Sequence, residues 1–288
     1  MNIRRSVSCL CLLVAVFFFL FEVDLFASPR IKVRARAAIL INNSTGRILY
    51  AKNPDRPIQP ASLTKILSLY LVHEAIAQGK IHPQDRVRIS MNAQITGGSS
   101  MYLVDETEVG LDDLIKGMAV VSANDASIAV AEHVGGSIAD FVKMMNSKAK
   151  VLDMRHSHFV NPNGLPAKGQ ITTARDMLKL SRAYIRDFPE ALQIHSMQEY
   201  TFANITQRNS NTLLRKLEDV DGLKTGFVRA AGFHLVATAK RGDTRLIAVL
   251  MGERNPKVRA KDATRLLEHG FRMVAARGKT SASRRSHS

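Results

Sequence analysis

Apolar and polar positions alternate at the two ends of the chain and follow helical spacing between them. "AAILINNSTGRILYAKN", residues 37–53, reads as two short strands joined by a turn at Asn42–Gly46, where Asn, Ser and Gly suit tight backbone geometry. Pro57 and Pro60 precede a helix predicted over 61 to about 78 and ended by Gly79. Its run Ile66, Leu67, Leu69, Tyr70, Leu71, Val72 is apolar nearly all round, so it belongs in a core. A loop is expected from there to residue 110. Residues 111–152 return to helical spacing, broken near Ser122 and at Gly135-Gly136. The Pro/Gly-rich stretch "FVNPNGLPAKGQ", 159–170, leads into a helix capped by Thr172 or Thr173 and running to about Arg186. After residue 197, "EYTFAN", "VDGLKTGF", "GFHLVATAKR" and "TRLIAVLMG" have the texture of strands, with a tight hairpin link at Arg241-Gly242-Asp243. Residues 257–276 are helical again, with Leu266, Leu267, Phe271 and Val274 on one face.

Strands at both ends and helices in the middle predict an α+β fold: an antiparallel sheet built from both chain ends, with flanking helices and an inserted helical subdomain. The sheet part is expected over about 30–55 and 197–277, the helical part over about 56–196.

The N-terminus changes the picture. Arg4 and Arg5 precede the apolar stretch Val7–Phe21, followed by Glu22, Asp24 and Leu-Phe-Ala. This reads as a secretory signal over 1–27. The stretch is short of the roughly 20 apolar residues a membrane span needs. Cleavage is expected after Ala27, leaving a domain over 28–277. An uncleaved anchor is the alternative, because Leu25 is bulky for its place. Both cysteines, Cys9 and Cys11, fall in this segment, so the exported domain has no disulfide and no thiol chemistry. The formal net charge of +16 suits a polyanionic setting, a cell wall or an anionic membrane face. Export argues against nucleic acid as the partner. Residues 278–288 are basic and expected to be disordered. The expected location is the periplasm or the outer face of the cytoplasmic membrane.

Three short motifs could carry chemistry. Ser62 and Lys65 stand three apart at a helix start, where backbone N–H groups are unpaired and an anion is favoured. A lysine made neutral by apolar surroundings could accept the serine proton. The plain alternative is a capping serine and a snorkelling lysine. Ser122 and Asn124 sit at a turn before a helix and could face one cavity; an ordinary helix cap explains them as well. Lys224-Thr225-Gly226 lies on a strand. If that strand is an edge, it offers free backbone groups to an extended peptide, and Gly226 leaves room for another backbone. His156 and His158 lack a third ligand nearby, and no H-E-x-x-H occurs, so no metal or cofactor is expected.

Each motif alone is weak. The order S-x-x-K, S-x-N, K-T-G, each on the element its chemistry wants, resembles the penicillin-binding proteins and class A β-lactamases. In detail the chain resembles the serine D-alanyl-D-alanine carboxypeptidases of the low-molecular-mass penicillin-binding proteins over about residues 35–276. "GSSMYL" (98–103), "NPNGL" (161–165), "TTARDM" (172–177) and "RLIAVLMG" (245–252) belong to the same likeness. The resemblance implies a β-lactamase/transpeptidase-like fold. It implies Ser62 as acylated nucleophile, Lys65 as its base, and Ser122 and Lys224 as proton relay and substrate contacts. Asn124 would hold the substrate's amide side. The N–H groups of Ser62 and Phe227 would form the oxyanion hole, with Gly226 beside it. Thr225 and Arg259 would bind the substrate carboxylate, although a solvated first-turn charge also explains Arg259. Two departures stand out: Phe227 follows K-T-G where relatives often carry a small or polar residue, and the β-rich domain and anchoring helix of many relatives are missing. The implied substrate is a peptidoglycan stem peptide ending in D-Ala-D-Ala, with β-lactams as inhibitors. A β-lactamase, a D,D-endopeptidase and a non-enzymatic basic wall-binding protein are the alternatives. The region matching the deacylation loop of class A enzymes, 161–177, contains no glutamate, which counts against the first.

Overall fold

The computed structural model describes residues 31–285. The expected signal, 1–27, lies outside the described residues. A compact unit begins at Val33. Its first hairpin joins β1 (Ala37–Asn42) to β2 (Ile48–Lys52). Asn42 fixes the turn by accepting a hydrogen bond from the Thr45 N–H at 3.2 Å, and Gly46 takes the left-handed conformation, φ +72°. The helical insert follows, with α1 (Lys65–Ala77), α2 (Asn124–Gly135), α3 (Ile138–Val151) and α4 (Ala174–Asp187). Ser137 and Thr173 cap α3 and α4 by accepting from the N–H groups of Asp140 and Asp176.

Two pieces of the insert differ from expectation. β3 (Arg86–Arg88) and β4 (Glu108–Gly110) pair within the stretch expected to be a loop. Strands this short leave no period-2 pattern to read. β5 (Glu199–Phe202) and β6 (Ile205–Arg208) form a separate hairpin rather than part of the main sheet. The returning strands are β7 (Val220–Val228), β8 (Gly232–Arg241) and β9 (Thr244–Glu253), followed by α5 (Pro256–Arg285). α5 continues into the stretch expected to be disordered. That stretch holds no proline, and its one glycine, Gly278, costs about 1 kcal/mol, too little to end a helix already nucleated. Among the described residues no helix is long and apolar enough to cross a membrane.

The main sheet has five antiparallel strands in the order β2-β1-β9-β8-β7. Both ends of the unit therefore meet at the β1–β9 pair, and β7 is left as an edge. β1 is buried at every residue because both its faces are covered. Ile39, Ile41, Ile247 and Val249 join the core shared with the helical insert. On the other face α5 approaches at Gly270, where an added Cβ would stand 2.7 Å from Leu40 and 2.9 Å from Leu246. The helix can lie this close only because that position has no side chain.

Where β9 gives way to α5, the Glu253 carboxyl is 1% exposed. Burial first, and the neighbouring Asp262 carboxyl second, push its pKa up to about 7. Asp262 in turn accepts from the Arg34 N–H at 2.6 Å, tying the segment before β1 to α5. A raised carboxyl binds its proton more tightly in the folded state. Its contribution to stability is therefore complete below its ordinary value near 4.5 and is lost as pH rises through about 7. The expected result is a melting temperature that falls between pH 6 and 8.5, with a smaller fall in Glu253→Gln, a difference of roughly 1–2 kcal/mol. Parallel melting curves for the two proteins across that range check it; identical pH dependence would remove Glu253 from the account.

Candidate active site

A single turn of 3-10 helix, Ala61–Thr64, carries Ser62 and runs directly into α1. Ala61 holds the left-handed conformation, φ +50°, strained for a residue with a Cβ. Gly164 fits against it: an added Cβ there would fall 1.9 Å from the Ala61 carbonyl oxygen. From the other side the edge strand β7 closes in, and a Cβ on Gly226 would stand 3.2 Å from both Ala61 Cβ and the Ser62 nitrogen. The serine turn is thus gripped between two glycines, one on the 159–170 loop and one on the sheet edge.

Lys65 lies one turn on and is fully buried, 0% exposed. Its Nζ is 2.6 Å from Asn124 Oδ1, 2.7 Å from the Asn163 carbonyl oxygen and 3.2 Å from Ser62 Oγ. As placed, the amine donates to all three oxygens. Once it is neutral, two N–H groups can stay on the two carbonyl oxygens and the lone pair faces the serine hydroxyl. Burial holds the Lys65 pKa well below the usual lysine value, helped by the Lys224 cation and opposed by Asp125. Lys224 is itself drawn down to about 7, by burial first and by Arg259 second. The reason is geometric: the strand that carries it is an edge, yet Lys224 sits inside, and its Nζ donates to the Thr225 carbonyl at 3.2 Å.

Ser122 ends the π-helical turn Gly117–Val121 in the left-handed conformation, φ +67°. Asn124 then opens α2, where its side chain bridges Lys65 and the Gly97 carbonyl, accepting from the first and donating to the second at 2.7 Å. Asp125 is buried and binds the 97–103 loop, accepting from Ser100 Oγ at 2.6 Å and from the N–H groups of Met101 and Leu103. The "GSSMYL" loop is therefore lashed to the Ser122–Asp125 turn. Gly98 allows it, since a Cβ there would meet Asn124 Nδ2 at 2.6 Å.

A cavity of about 530 Å³ opens between these elements, lined by Ser62, Ser122, Asn124, Thr225, Gly226, Phe227 and Arg259 among others. Lys65 and Lys224 sit behind its wall. Arg259 comes from the first turn of α5 and is buried, not solvated. Its guanidinium donates to the Ser210 carbonyl at 3.0 Å and the His234 carbonyl at 3.4 Å, and burial lowers its pKa to about 10. Phe227 stands at the mouth, 53% exposed, with its ring stacked on Phe233 at 4.2 Å. The structure thus brings together all nine residues singled out in the sequence. Sequence reasoning missed Asn163, Asp125, Ser210 and Thr212. Asn163 acts through its carbonyl, which any residue could offer; "NPNGL" marked its loop but not that contact.

His156 and His158 stand apart from this cavity, on the bridge that pairs His158 with Ile171. The His158 ring is 3.1 Å from the Gly169 carbonyl.

The fold and the cavity define a serine hydrolase of the penicillin-binding class. A family profile described as D-alanyl-D-alanine carboxypeptidase, peptidase family S11, matches residues 24–255, and the chain belongs to that family. The D-alanyl-D-alanine carboxypeptidase DacC of Escherichia coli K12 is 42% identical over 269 residues, covering 90% of this chain and 67% of the relative. Penicillin-binding protein 5 of Haemophilus influenzae superposes with a TM-score of 0.82 at 40% identity, over 84% of this chain and 72% of that one. Penicillin-binding protein D2 of Listeria monocytogenes, solved with cefotaxime bound, superposes with a TM-score of 0.78 at 31% identity, over 84% of this chain and 99% of that one. The chain spans about two thirds of the length of the curated relatives it matches, 67% and 62% for the first two.

Proposed function

We propose that the protein removes the terminal D-alanine from peptidoglycan stem peptides through an acyl-serine intermediate, and that β-lactams trap the same serine. The observation that carries this is the placement of the buried Lys65, its Nζ 3.2 Å from Ser62 Oγ and held on two carbonyl oxygens, so that its neutral form turns a lone pair to the Ser62 hydroxyl. Ser62 Oγ attacks the carbonyl of the penultimate D-alanine and its proton passes to Lys65 Nζ. The oxyanion is received by the N–H groups of Ser62 and Phe227. As the C–N bond breaks, Ser122 and Lys224 relay a proton to the departing amine. Water then releases the acyl group, with Lys65 and Ser122 again moving the proton. Thr225 and Arg259 hold the free carboxylate, a charge-assisted pairing that requires a chain end. An anion bound beside Lys224 also favours its protonated form.

A departing D-alanine clears the cavity for water. The leaving group of a β-lactam stays tethered, and no glutamate in 159–177 is placed to activate water around it, so that acyl-enzyme should persist. Export by the 1–27 segment, with the domain working in the periplasm or on the outer face of the cytoplasmic membrane, completes the reading. The basic charge supports peripheral contact with wall or anionic lipid.

The test is D-alanine release from a diacyl-L-Lys-D-Ala-D-Ala peptide beside the same peptide amidated at its C-terminus. Loss of the carboxylate is expected to lower kcat/KM by roughly 10- to 100-fold, the worth of a hydrogen bond to a charged group. Equal rates would favour endopeptidase action. Rapid repeated hydrolysis of penicillin would favour a β-lactamase.

A further inference from the structure

The register between β8 and β9 slips between Phe233 and Leu235, so that His234 alone stands opposite the bulge Met251-Gly252 on β9. Bulges near active sites re-aim a side chain and take backbone groups out of the ladder. Here the Gly252 N–H is satisfied by the imidazole: it donates to His234 Nδ1 at 2.9 Å. With Nδ1 accepting, the ring proton sits on Nε2, which donates to the Gln59 carbonyl at 3.1 Å. Gln59 stands three residues before Ser62. The imidazole is fully buried, and its bond with the Gly252 N–H is shielded from water. Across the sheet His234 pairs with Gly226, the glycine pressed against the Ser62 nitrogen. The His234 carbonyl also accepts from Arg259.

We propose that His234 is a positioning residue: its imidazole straps the Gln59–Ser62 segment to the β8–β9 ladder and thereby sets the distance between the serine turn and the K-T-G edge. The two N–H groups that receive the oxyanion, those of Ser62 and Phe227, lie on the two elements whose spacing the strap fixes. A cross-strand pair does the work together. Gly226 lets the serine turn come close, and His234 keeps it from drifting away. A displacement of about 1 Å in such a site costs on the order of 100-fold in rate, while a substrate held by Thr225 and Arg259 still binds. This inference rests on the acyl-serine reading above.

The experiment follows acylation by benzylpenicillin in His234→Leu and His234→Asn, separating the binding constant from the acylation rate constant. Rates are referred to sites titrated at completion. Leucine removes both ties. Asparagine can still accept from the Gly252 N–H but falls short of Gln59, so it severs the strap while keeping the ladder filled. Both variants are expected to acylate roughly 10- to 100-fold more slowly with binding within about twofold of the parent. A lower melting temperature with an unchanged rate per titrated site would show a structural role only and overturn the proposal. A His234→Asn protein that acylates at the parental rate would overturn it equally. A parent chain that is never acylated overturns the functional reading instead.

Discussion

Ser62→Ala is expected to abolish acylation by benzylpenicillin, with a loss of 10⁴-fold or more, as for removal of other covalent nucleophiles. Stability should stay within about 1 kcal/mol of the parent, because the hydroxyl makes no cap bond and its partner Lys65 keeps two strong acceptors. Other serines stand nearby: Ser99, Ser122 and Ser210 also line the cavity, and Ser100 follows Ser99. Ser100 donates to the Asp125 carboxyl rather than lining the cavity. Ser62 Oγ meets the Lys65 amine at 3.2 Å, the contact that marks it as the nucleophile. Peptide mass mapping of the penicillin adduct decides among them. An adduct on Ser122 or Ser100, or one that survives in Ser62→Ala, would remove Ser62 from the nucleophile's role.

The second large effect is expected at Lys65. Lys65→Arg should lose acylation by 10³-fold or more, since a guanidinium stays protonated and cannot take the serine proton. Lys65→Met keeps a similar stem without a base and should lose as much. For the parent protein, acylation should rise with pH as Lys65 deprotonates. That limb should lie below the range of a free lysine, because burial and the Lys224 cation both disfavour the ammonium form. Retained acylation in either folded variant, checked by near-ultraviolet circular dichroism, would refute the role. A pH limb at the free-lysine value would show that Lys65 is solvated when the enzyme acts.

Much of this site was legible because its chemistry is written in side chains at fixed spacing. Ser62 and Lys65 one turn apart, Ser122 and Asn124 at a turn, and Lys224 to Gly226 on a strand each followed from local pattern. The joining of the two chain ends in one sheet also followed, from the placing of strand-like runs, whereas the edge position of β7 was left open. What stayed hidden depends on the backbone. Ala61 and Ser122 adopt left-handed conformations with no glycine to announce them. Asn163 contributes a carbonyl. The role of His234 comes from a register slip that no hydropathy pattern shows. The burial of Lys224 was hidden for a related reason: a strand pattern cannot tell whether a lysine's ammonium reaches water or is enclosed by neighbours from distant segments. The β3–β4 pair was missed because three residues carry too little pattern.

The sheet order has a consequence for the order in which the enzyme can come into being. Ser62, Lys65, Asn124 and Asn163 all precede the strands that return at β7 to β9, and β1 finds its second partner only when β9 exists. A chain emerging from its N-terminus can therefore assemble the serine and its base among the helices. It still lacks the edge strand, the Phe227 N–H proposed as second oxyanion donor and the arginine proposed to bind the carboxylate. Contacts between segments so distant in sequence make folding slow, because loop closure comes before the reward of pairing. The nucleophile and the surface that presents a peptide to it belong to opposite halves of the polypeptide. Catalytic competence arrives only with the returning strands and the helix that follows them, rather than accumulating along the way.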